Sequence, residues 1–247
     1  MSKPAVNFFD TEVIPYSAVN GSQTRYEKIL AVDPETGVRT RLSMSQPDLD
    51  ESIRSYDSPP NKMLIHEDLW EEVYLFQGVS VDTRLNRSFG EGSFACRPPG
   101  MKHGPMFHPV GIIAYEMKFP GDFWGKPELE YSDTAILPWK PVETSPGRYE
   151  KILCEDPKGK GITRLVLNQP NLHACIQDYH NPRNEVLVYD DMWVEILILK
   201  GTVLDSKLNK TYKRGYYGCF APGTKLGPYF CPTGATWIET AYRPLGG

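Results

Sequence analysis

The chain has 247 residues, with 27 basic and 31 acidic side chains and a formal net charge of −4 at pH 7. Hydrophobic residues make up 40% of it, enough for a buried core, and the absence of a basic block disfavours a nucleic-acid partner. No apolar run approaches the roughly 20 residues of a membrane helix, and the N-terminus lacks the apolar stretch of a secretory signal, so the composition predicts a cytoplasmic globular protein without a membrane partner.

The sequence repeats itself at an offset of 123 residues. RYEKILAVDP at 25–34 returns as RYEKILCEDP at 148–157. Further along, PPGMKHGPMFHPVG at 98–111 returns as APGTKLGPYFCPTG at 221–234. Self-similarity with so long a period indicates two copies of one domain rather than a solenoid.

Each copy has the pattern of short β-strands. Runs such as EVYLFQGVSV and GIIAYEMKF are rich in β-branched and aromatic residues, and turn sequences such as RPPGMKHGP separate them. Many short strands in about 120 residues are typical of a sandwich or barrel. The repeat therefore predicts an all-β chain of two tandem domains, residues 1–122 and 123–247, with a linker at 121–131.

Two segments of the first copy contain the spacing of known sequence motifs. The stretch from Gly92 to His103, GSFACRPPGMKH, reads G-x5-P-x-G-x2-H, and Glu71 precedes Gly78 in the spacing E-x6-G. Both segments resemble the motifs of the cupins. The run WEEVYLFQG is similar to small cupins related to acetylacetone dioxygenase and to the cupin domain of the anti-sigma factor ChrR. The resemblance implies two tandem cupin domains, each a double-stranded β-helix or jelly roll.

The same resemblance implies a metal site in the first copy. His66 takes the place of the second histidine of the first motif, while Leu64 occupies the place of the first histidine. His66, Glu71 and His103 are therefore the expected metal ligands. Two histidines and one carboxylate suit Fe(II) best, with Mn, Zn or Ni as alternatives.

The second copy provides a test of this assignment within the chain. The residues that a fold would need recur, as Glu72 does at Glu195, so Glu72 is predicted to be structural. The three candidate ligands are all replaced in the second copy, as expected if a metal site was lost as a whole. The second lumen is therefore predicted to be apolar and metal-free, with Tyr189, Val194 and Leu226 at the ligand positions.

Other residues of the first copy are weaker candidates for the site. His108 is predicted to act in acid–base catalysis or as a fourth ligand, with an ordinary loop histidine as the alternative. Glu67 or Asp68 is a lesser candidate for an additional carboxylate ligand. Apolar side chains expected to line the pocket are Val73, Leu75 and Phe94.

The remaining histidines and the cysteines indicate surface positions and the redox environment of the protein. His173 and His180 of the second copy fall outside the motifs and are predicted to be surface residues. Five cysteines without a CxxC pair favour free thiols in a reducing cytosol. A homo-oligomer with a small-molecule substrate is expected.

The resemblance to acetylacetone-type enzymes implies a dioxygenase that cleaves a C–C bond of a small diketone or aromatic ketone. Because cupins carry out many reactions, a metal-dependent isomerase or cyclase is an alternative. A metal-sensing or ligand-binding module is a further alternative, as is a structural protein without metal.

Overall fold

The computed structural model describes residues 3–47, 63–170 and 187–244. Regular structure in these ranges consists of β-strands and three short 3-10 turns, without an α-helix, which confirms the all-β prediction. None of the described segments is a helix with the length and apolarity needed to cross a membrane. His173 and His180 lie outside the described residues.

The chain forms two compact units. The C-terminal unit begins with residues 1–13, which contain strand β1 (Val6–Asp10) and a 3-10 turn (Thr11–Val13). The N-terminal unit comprises residues 14–136. It contains 3-10 turns at Val19–Gly21 and Thr134–Ile136 and ten strands: β2 (Ser17–Ala18), β3 (Arg25–Val32), β4 (Arg39–Ser45), β5 (Leu69–Gly78), β6 (Ser80–Asp82), β7 (Arg87–Phe89), β8 (Ser93–Arg97), β9 (Met106–Phe107), β10 (Ile112–Pro120) and β11 (Leu129–Asp133).

The C-terminal unit is completed by residues 137–247. Its large sheet has the order β1-β18-β16-β21-β14-β13-β12, and the sheet of the N-terminal unit has the corresponding order β11-β8-β5-β10-β4-β3-β2. The two orders match strand for strand at the sequence offset. The strands of this segment are β12 (Lys140–Pro141), β13 (Arg148–Glu155), β14 (Gly161–Asn168), β15 (Leu187–Val188), β16 (Trp193–Asp205), β17 (Lys210–Lys213), β18 (Tyr216–Phe220), β19 (Lys225–Leu226), β20 (Tyr229–Phe230) and β21 (Ala235–Tyr242).

The segment 121–131 is not a linker, and the predicted boundary after residue 122 is wrong. Phe123 and Trp124 are buried, and β11 pairs with β8 at the edge of the N-terminal sheet. The equivalent strand β1, at the start of the chain, pairs with β18 of the C-terminal unit. Each copy of the repeat therefore begins with a strand that completes the sheet of the other copy.

A buried lysine accompanies each of these exchanged strands. Lys3 donates a 2.7 Å hydrogen bond to Glu195, and Lys126, its equivalent at the offset, pairs with Glu72. All four side chains of these two ion pairs are fully buried. Because a buried charge needs a partner, each pair helps to hold its strand at the sheet edge.

Replacing Lys3 with methionine should lower the free energy of unfolding by about 3 kcal/mol, since Glu195 would remain buried without its cation. The change is measured by urea denaturation. Lys210→Met, at an exposed position, is the matched control and should change the free energy of unfolding by less than about 0.5 kcal/mol. Equal effects of the two substitutions would contradict the proposed role of the buried pair.

A steric constraint explains why the first motif has a glycine at position 78. Gly78 ends β5 with a φ of +89°, and a Cβ atom there would lie 2.1 Å from the carbonyl oxygen of Gly111. Only glycine tolerates this close approach of two backbones. The contact fixes the register of β5 against β10 and with it the residues of β5 that face the lumen.

Candidate metal centre

Side chains alternate between the two faces of β5, so Glu71 and Glu72 lie on opposite sides of the sheet. Glu71 and Val73 line the cavity of the N-terminal unit. Glu72 faces the opposite side of the sheet, where it pairs with Lys126 and lies 3.9 Å from the sulfur of Cys96. Glu72 therefore lies outside the cavity that Glu71 lines, on the opposite face of the strand, as the alternation predicted.

Backbone hydrogen bonds place the two candidate histidines side by side. Leu64 and His103 exchange two hydrogen bonds, with N···O distances of 2.9 and 3.0 Å. The amide of Gly100 donates a third, of 2.9 Å, to the carbonyl of His66. The glycine-containing turn of the second motif thereby holds His103 against the segment that carries His66. Leu64, at the place of the missing histidine, contributes through its backbone.

The three predicted ligands meet at one point. The Nε2 atom of His66 lies 3.1 Å from one carboxylate oxygen of Glu71, and that of His103 lies 3.6 Å from the other. The ring centroids of the two histidines are 5.7 Å apart. One ligand atom from each of the three residues lies within 4.8 Å of the others. The sequence interpretation therefore selected three residues that the fold brings together.

The environment of His103 fits a metal. Its side chain is only 4% exposed, yet neither ring nitrogen has a hydrogen-bond partner among the described residues. Burial, reinforced by the charge of Arg97, lowers the pKa of His103 to about 3, so the ring is neutral at pH 7, the form in which histidine binds a metal. A buried polar group without a partner requires an explanation, and a cation shared with His66 and Glu71 would provide one.

Two cations accompany the carboxylate of Glu71. Arg97 donates a 2.9 Å hydrogen bond to Oε2, and the Nζ atom of Lys118 lies 3.4 Å from Oε1. Burial acts to raise the pKa of Glu71, but the hydrogen bond with His66 and the charges of Arg97 and Lys118 hold it well below its usual range. A carboxylate offers about four lone-pair sites, so these contacts leave room for a metal.

The site opens into a cavity of about 190 Å³. Its polar lining includes four basic and two acidic side chains, and its apolar lining comes from several strands. Along one wall of the cavity, Arg41 forms ion pairs with both Glu116 and Glu27. The apolar lining residues are Val19, Met44, Leu64, Val73, Met106, Ile112 and Ala114.

His108 also lines this cavity, outside the group of three ligands. It is 6% exposed, and burial, followed by the charge of Arg25, lowers its pKa to about 4. The imidazole is therefore neutral at pH 7.

The predicted apolar lining is only partly correct. Val73 lines the cavity, but Leu75 packs in the apolar cluster beneath it. Phe94 lies on the other face of the sheet, because it is paired with Tyr74, whereas Ala95 is paired with Val73. The prediction of Phe94 was one residue out of register.

Glu67 and Asp68 are exposed and do not line the cavity. Since their side chains lie away from His66, Glu71 and His103, they are not part of the described cluster. The structure thus gives no support to either residue as an additional carboxylate ligand.

The corresponding lumen of the C-terminal unit contains a cluster of buried apolar side chains. Val194 and Leu226, at two of the ligand positions, belong to its apolar core, as predicted. Tyr189 does not fit the apolar prediction, because its hydroxyl donates a 2.6 Å hydrogen bond to Glu239 and accepts one of 3.0 Å from Arg164. An ion pair between Arg164 and Glu239, which face each other on the neighbouring strands β14 and β21, therefore lies beside Tyr189.

The fold is similar to that of several solved structures. A proposed dioxygenase from Nostoc punctiforme PCC 73102 superposes with a TM-score of 0.69 at 13% identity, over 98% of this chain and 84% of the other. HEPD from Streptomyces albus, solved with 2-hydroxyethylphosphonate and Fe(II), gives 0.66 at 8% identity, over 98% and 76%. Oxalate decarboxylase from Lactobacillus farciminis, solved as a formate complex, gives 0.56 at 10% identity, over 98% and 88%.

The chain has the cupin fold. No protein-family model matches the sequence, and no curated protein matches it significantly. At identities this low, structural similarity establishes the fold, while the reaction has to be argued from the site.

Among the cavity residues that were not identified from the sequence, three are not shared by the two units. Arg97, Lys118 and Tyr131 all line the cavity, and the guanidinium carbon of Arg97 lies 4.8 Å from the centroid of the Tyr131 ring. The repeat contained the signal for them, because all three have apolar counterparts in the C-terminal unit. Their counterparts at the offset are Phe220, Ala241 and Phe8.

Proposed function

We propose that the N-terminal unit of this tandem cupin is a metal-dependent oxidoreductase that uses Fe(II). The convergence of His66 and Glu71 on the buried, unpartnered imidazole of His103 supports this proposal. Within it, the reaction is oxidative C–C cleavage of a small diketone or related ketone, with both atoms of O2 entering the products. Fe(II), when bound, supplies a redox-active centre with open positions for substrate and O2.

The chain contributes binding, shape and proton transfer to this reaction. His66, Glu71 and His103 would hold the metal. Apolar side chains such as Val73 exclude water from the reacting carbons. A ring nitrogen of neutral His108 accepts the α-proton as the substrate becomes an enolate.

Anaerobic loading with Fe(II), followed by oxygen uptake on a panel of 1,3-diketones and hydroxyaryl ketones, tests this proposal. A dioxygenase consumes one O2 per substrate and incorporates both ¹⁸O atoms from ¹⁸O2. Turnover without oxygen consumption would identify an isomerase or cyclase instead. A wild-type protein that binds no metal would contradict the enzymatic proposal altogether.

His108→Gln should lower turnover by about 100-fold or more while the iron content stays at the wild-type level, because general-base catalysis commonly contributes this much. Iron analysis and steady-state oxygen uptake on the same preparation measure the two effects. Loss of iron together with activity would instead show that His108 is a ligand. Unchanged turnover would exclude it from proton transfer.

A further inference from the structure

We infer that the substrate carries a carboxylate in addition to its ketone, and that Lys118 binds this carboxylate. The inference rests on the proposed metal-dependent function and specifies its substrate as a small oxo acid. It follows from the balance of charge in the cavity, the position of Lys118 and the comparison between the two copies.

The side chains that line the cavity carry an excess of positive charge, with four basic groups and two carboxylates. Two more carboxylates lie behind and pair with Arg41 and Arg97. The outer carboxylates also pair with Arg39 and Arg84, so they do not cancel this excess, and a divalent cation would add to it, which is unfavourable without anions. An enolate oxygen and a carboxylate together supply two negative charges. The four cations are Arg25, Arg41, Arg97 and Lys118, and the four carboxylates are Glu71, Glu116, Glu27 and Glu130.

Lys118 is the cation best placed for such a carboxylate. It lies opposite Glu71 in the β5–β10 register, its side chain is 12% exposed, and it lines the cavity. Glu71, at 3.4 Å, is its one ion-pair partner among the described residues, whereas Arg97 contacts both Glu71 and Glu130. An ammonium group has three donors, so Lys118 can bind a further carboxylate without leaving Glu71.

The repeat separates Lys118 from the charges that the fold requires. Arg41 and Glu116 recur as Arg164 and Glu239, which form an equivalent ion pair in the C-terminal unit. Lys118 is replaced by Ala241, in the lumen that also lacks the ligands. Lys118 is thus present where the candidate metal ligands are present, and the shared fold does not require it.

The size of the cavity limits the substrate to a small acid. Its volume of about 190 Å³ corresponds to roughly six water molecules of liquid volume. Two probes of equal heavy-atom count are suitable, namely 3-oxobutanoate and pentane-2,4-dione, which differ by a carboxylate oxygen in place of a methyl group.

Isothermal titration calorimetry of the full chain, loaded with redox-inert Zn(II), tests the inference. Wild type should bind 3-oxobutanoate at least 10-fold more tightly than pentane-2,4-dione. Lys118→Met should remove this preference, Lys118→Arg should keep most of it, and Lys102→Met, at an exposed position, should leave it unchanged. Equal binding of both probes by wild type, or an unchanged preference in Lys118→Met, would overturn the inference.

Metal affinity distinguishes substrate binding from a purely structural role of Lys118. Removing a cation close to Glu71 should leave Zn(II) affinity unchanged or increase it, because the two positive charges repel each other. A loss of Zn(II) affinity in Lys118→Met would show instead that the lysine orients Glu71, and would overturn the inference. If wild type binds no metal, the proposed function is wrong. In that case the binding of the same two probes to metal-free wild type and to Lys118→Met tests whether Lys118 recognises a carboxylate.

Discussion

Replacing His103 with alanine is expected to weaken Fe(II) binding by at least about 100-fold and to abolish turnover, with little change in stability. Loss of even an outer partner of a metal ligand commonly costs 10–100-fold, and His103 is proposed as a ligand itself. Its ring forms no hydrogen bond to the part of the chain that the structure describes, and its backbone pairing with Leu64 does not depend on the side chain. The fold should therefore tolerate the substitution.

Anaerobic Fe(II) titration and thermal unfolding of His103→Ala measure the two quantities separately. His108→Gln is the matched control, because it alters another buried histidine of the same cavity and should retain the metal. Wild-type Fe(II) affinity in His103→Ala would contradict the proposed ligand set. A large loss of stability without metal would show that His103 has a structural role.

Glu239→Gln is expected to destabilise the protein by about 3 kcal/mol at pH 7, since it leaves buried Arg164 without its main counter-charge. The carboxylate accepts hydrogen bonds from Arg164, Tyr189 and the indole of Trp237, with distances of 2.6, 2.6 and 3.2 Å. Burial acts to raise its pKa, but the charges of Arg164 and Arg148 outweigh burial and lower it to about 2.

The lowered pKa of Glu239 determines how the loss of stability in Glu239→Gln depends on pH. A carboxylate with a lowered pKa in the folded state stabilises the fold above its unfolded pKa, here about 4.5, and the stabilisation is lost as pH falls toward 2. The difference between wild type and Glu239→Gln should therefore be largest above pH 4.5 and shrink below it. Urea denaturation at pH 7, 4 and 3 measures this trend.

Glu150→Gln is the control for this network, because Glu150 binds the same arginine but is 21% exposed. Its substitution should cost less than about 1 kcal/mol. An equal cost for both variants, or a difference between wild type and Glu239→Gln that does not change with pH, would contradict the account of the C-terminal lumen.

The sequence was sufficient to predict the parts of the fold that depend on local pattern. Alternation along β5 separated Glu71 from Glu72, and the repeat showed which residues the two lumens do not share. Both inferences use the period of two in a strand and a comparison within one chain. The convergence of His66 on His103 followed from motif spacing.

What the sequence did not reveal depends on pairing between distant strands. The segment 121–131 has the prolines and glycines of a linker, yet β11 completes a sheet edge, and nothing local indicates which sheet it joins. Misplacing this segment also hid Tyr131, whose counterpart Phe8 lies in the other exchanged strand. Phe94 was misassigned because the register of β8 is determined only by its pairing with β5.

The central claim is that one of the two cupin lumens binds a metal. Elemental analysis of the full chain after anaerobic loading with excess Fe(II) and gel filtration tests it most directly. We expect one iron per wild-type chain and only background iron in a variant with alanine at His66, Glu71 and His103. Background iron in the wild type, or an equal iron content in the triple variant, would contradict the claim.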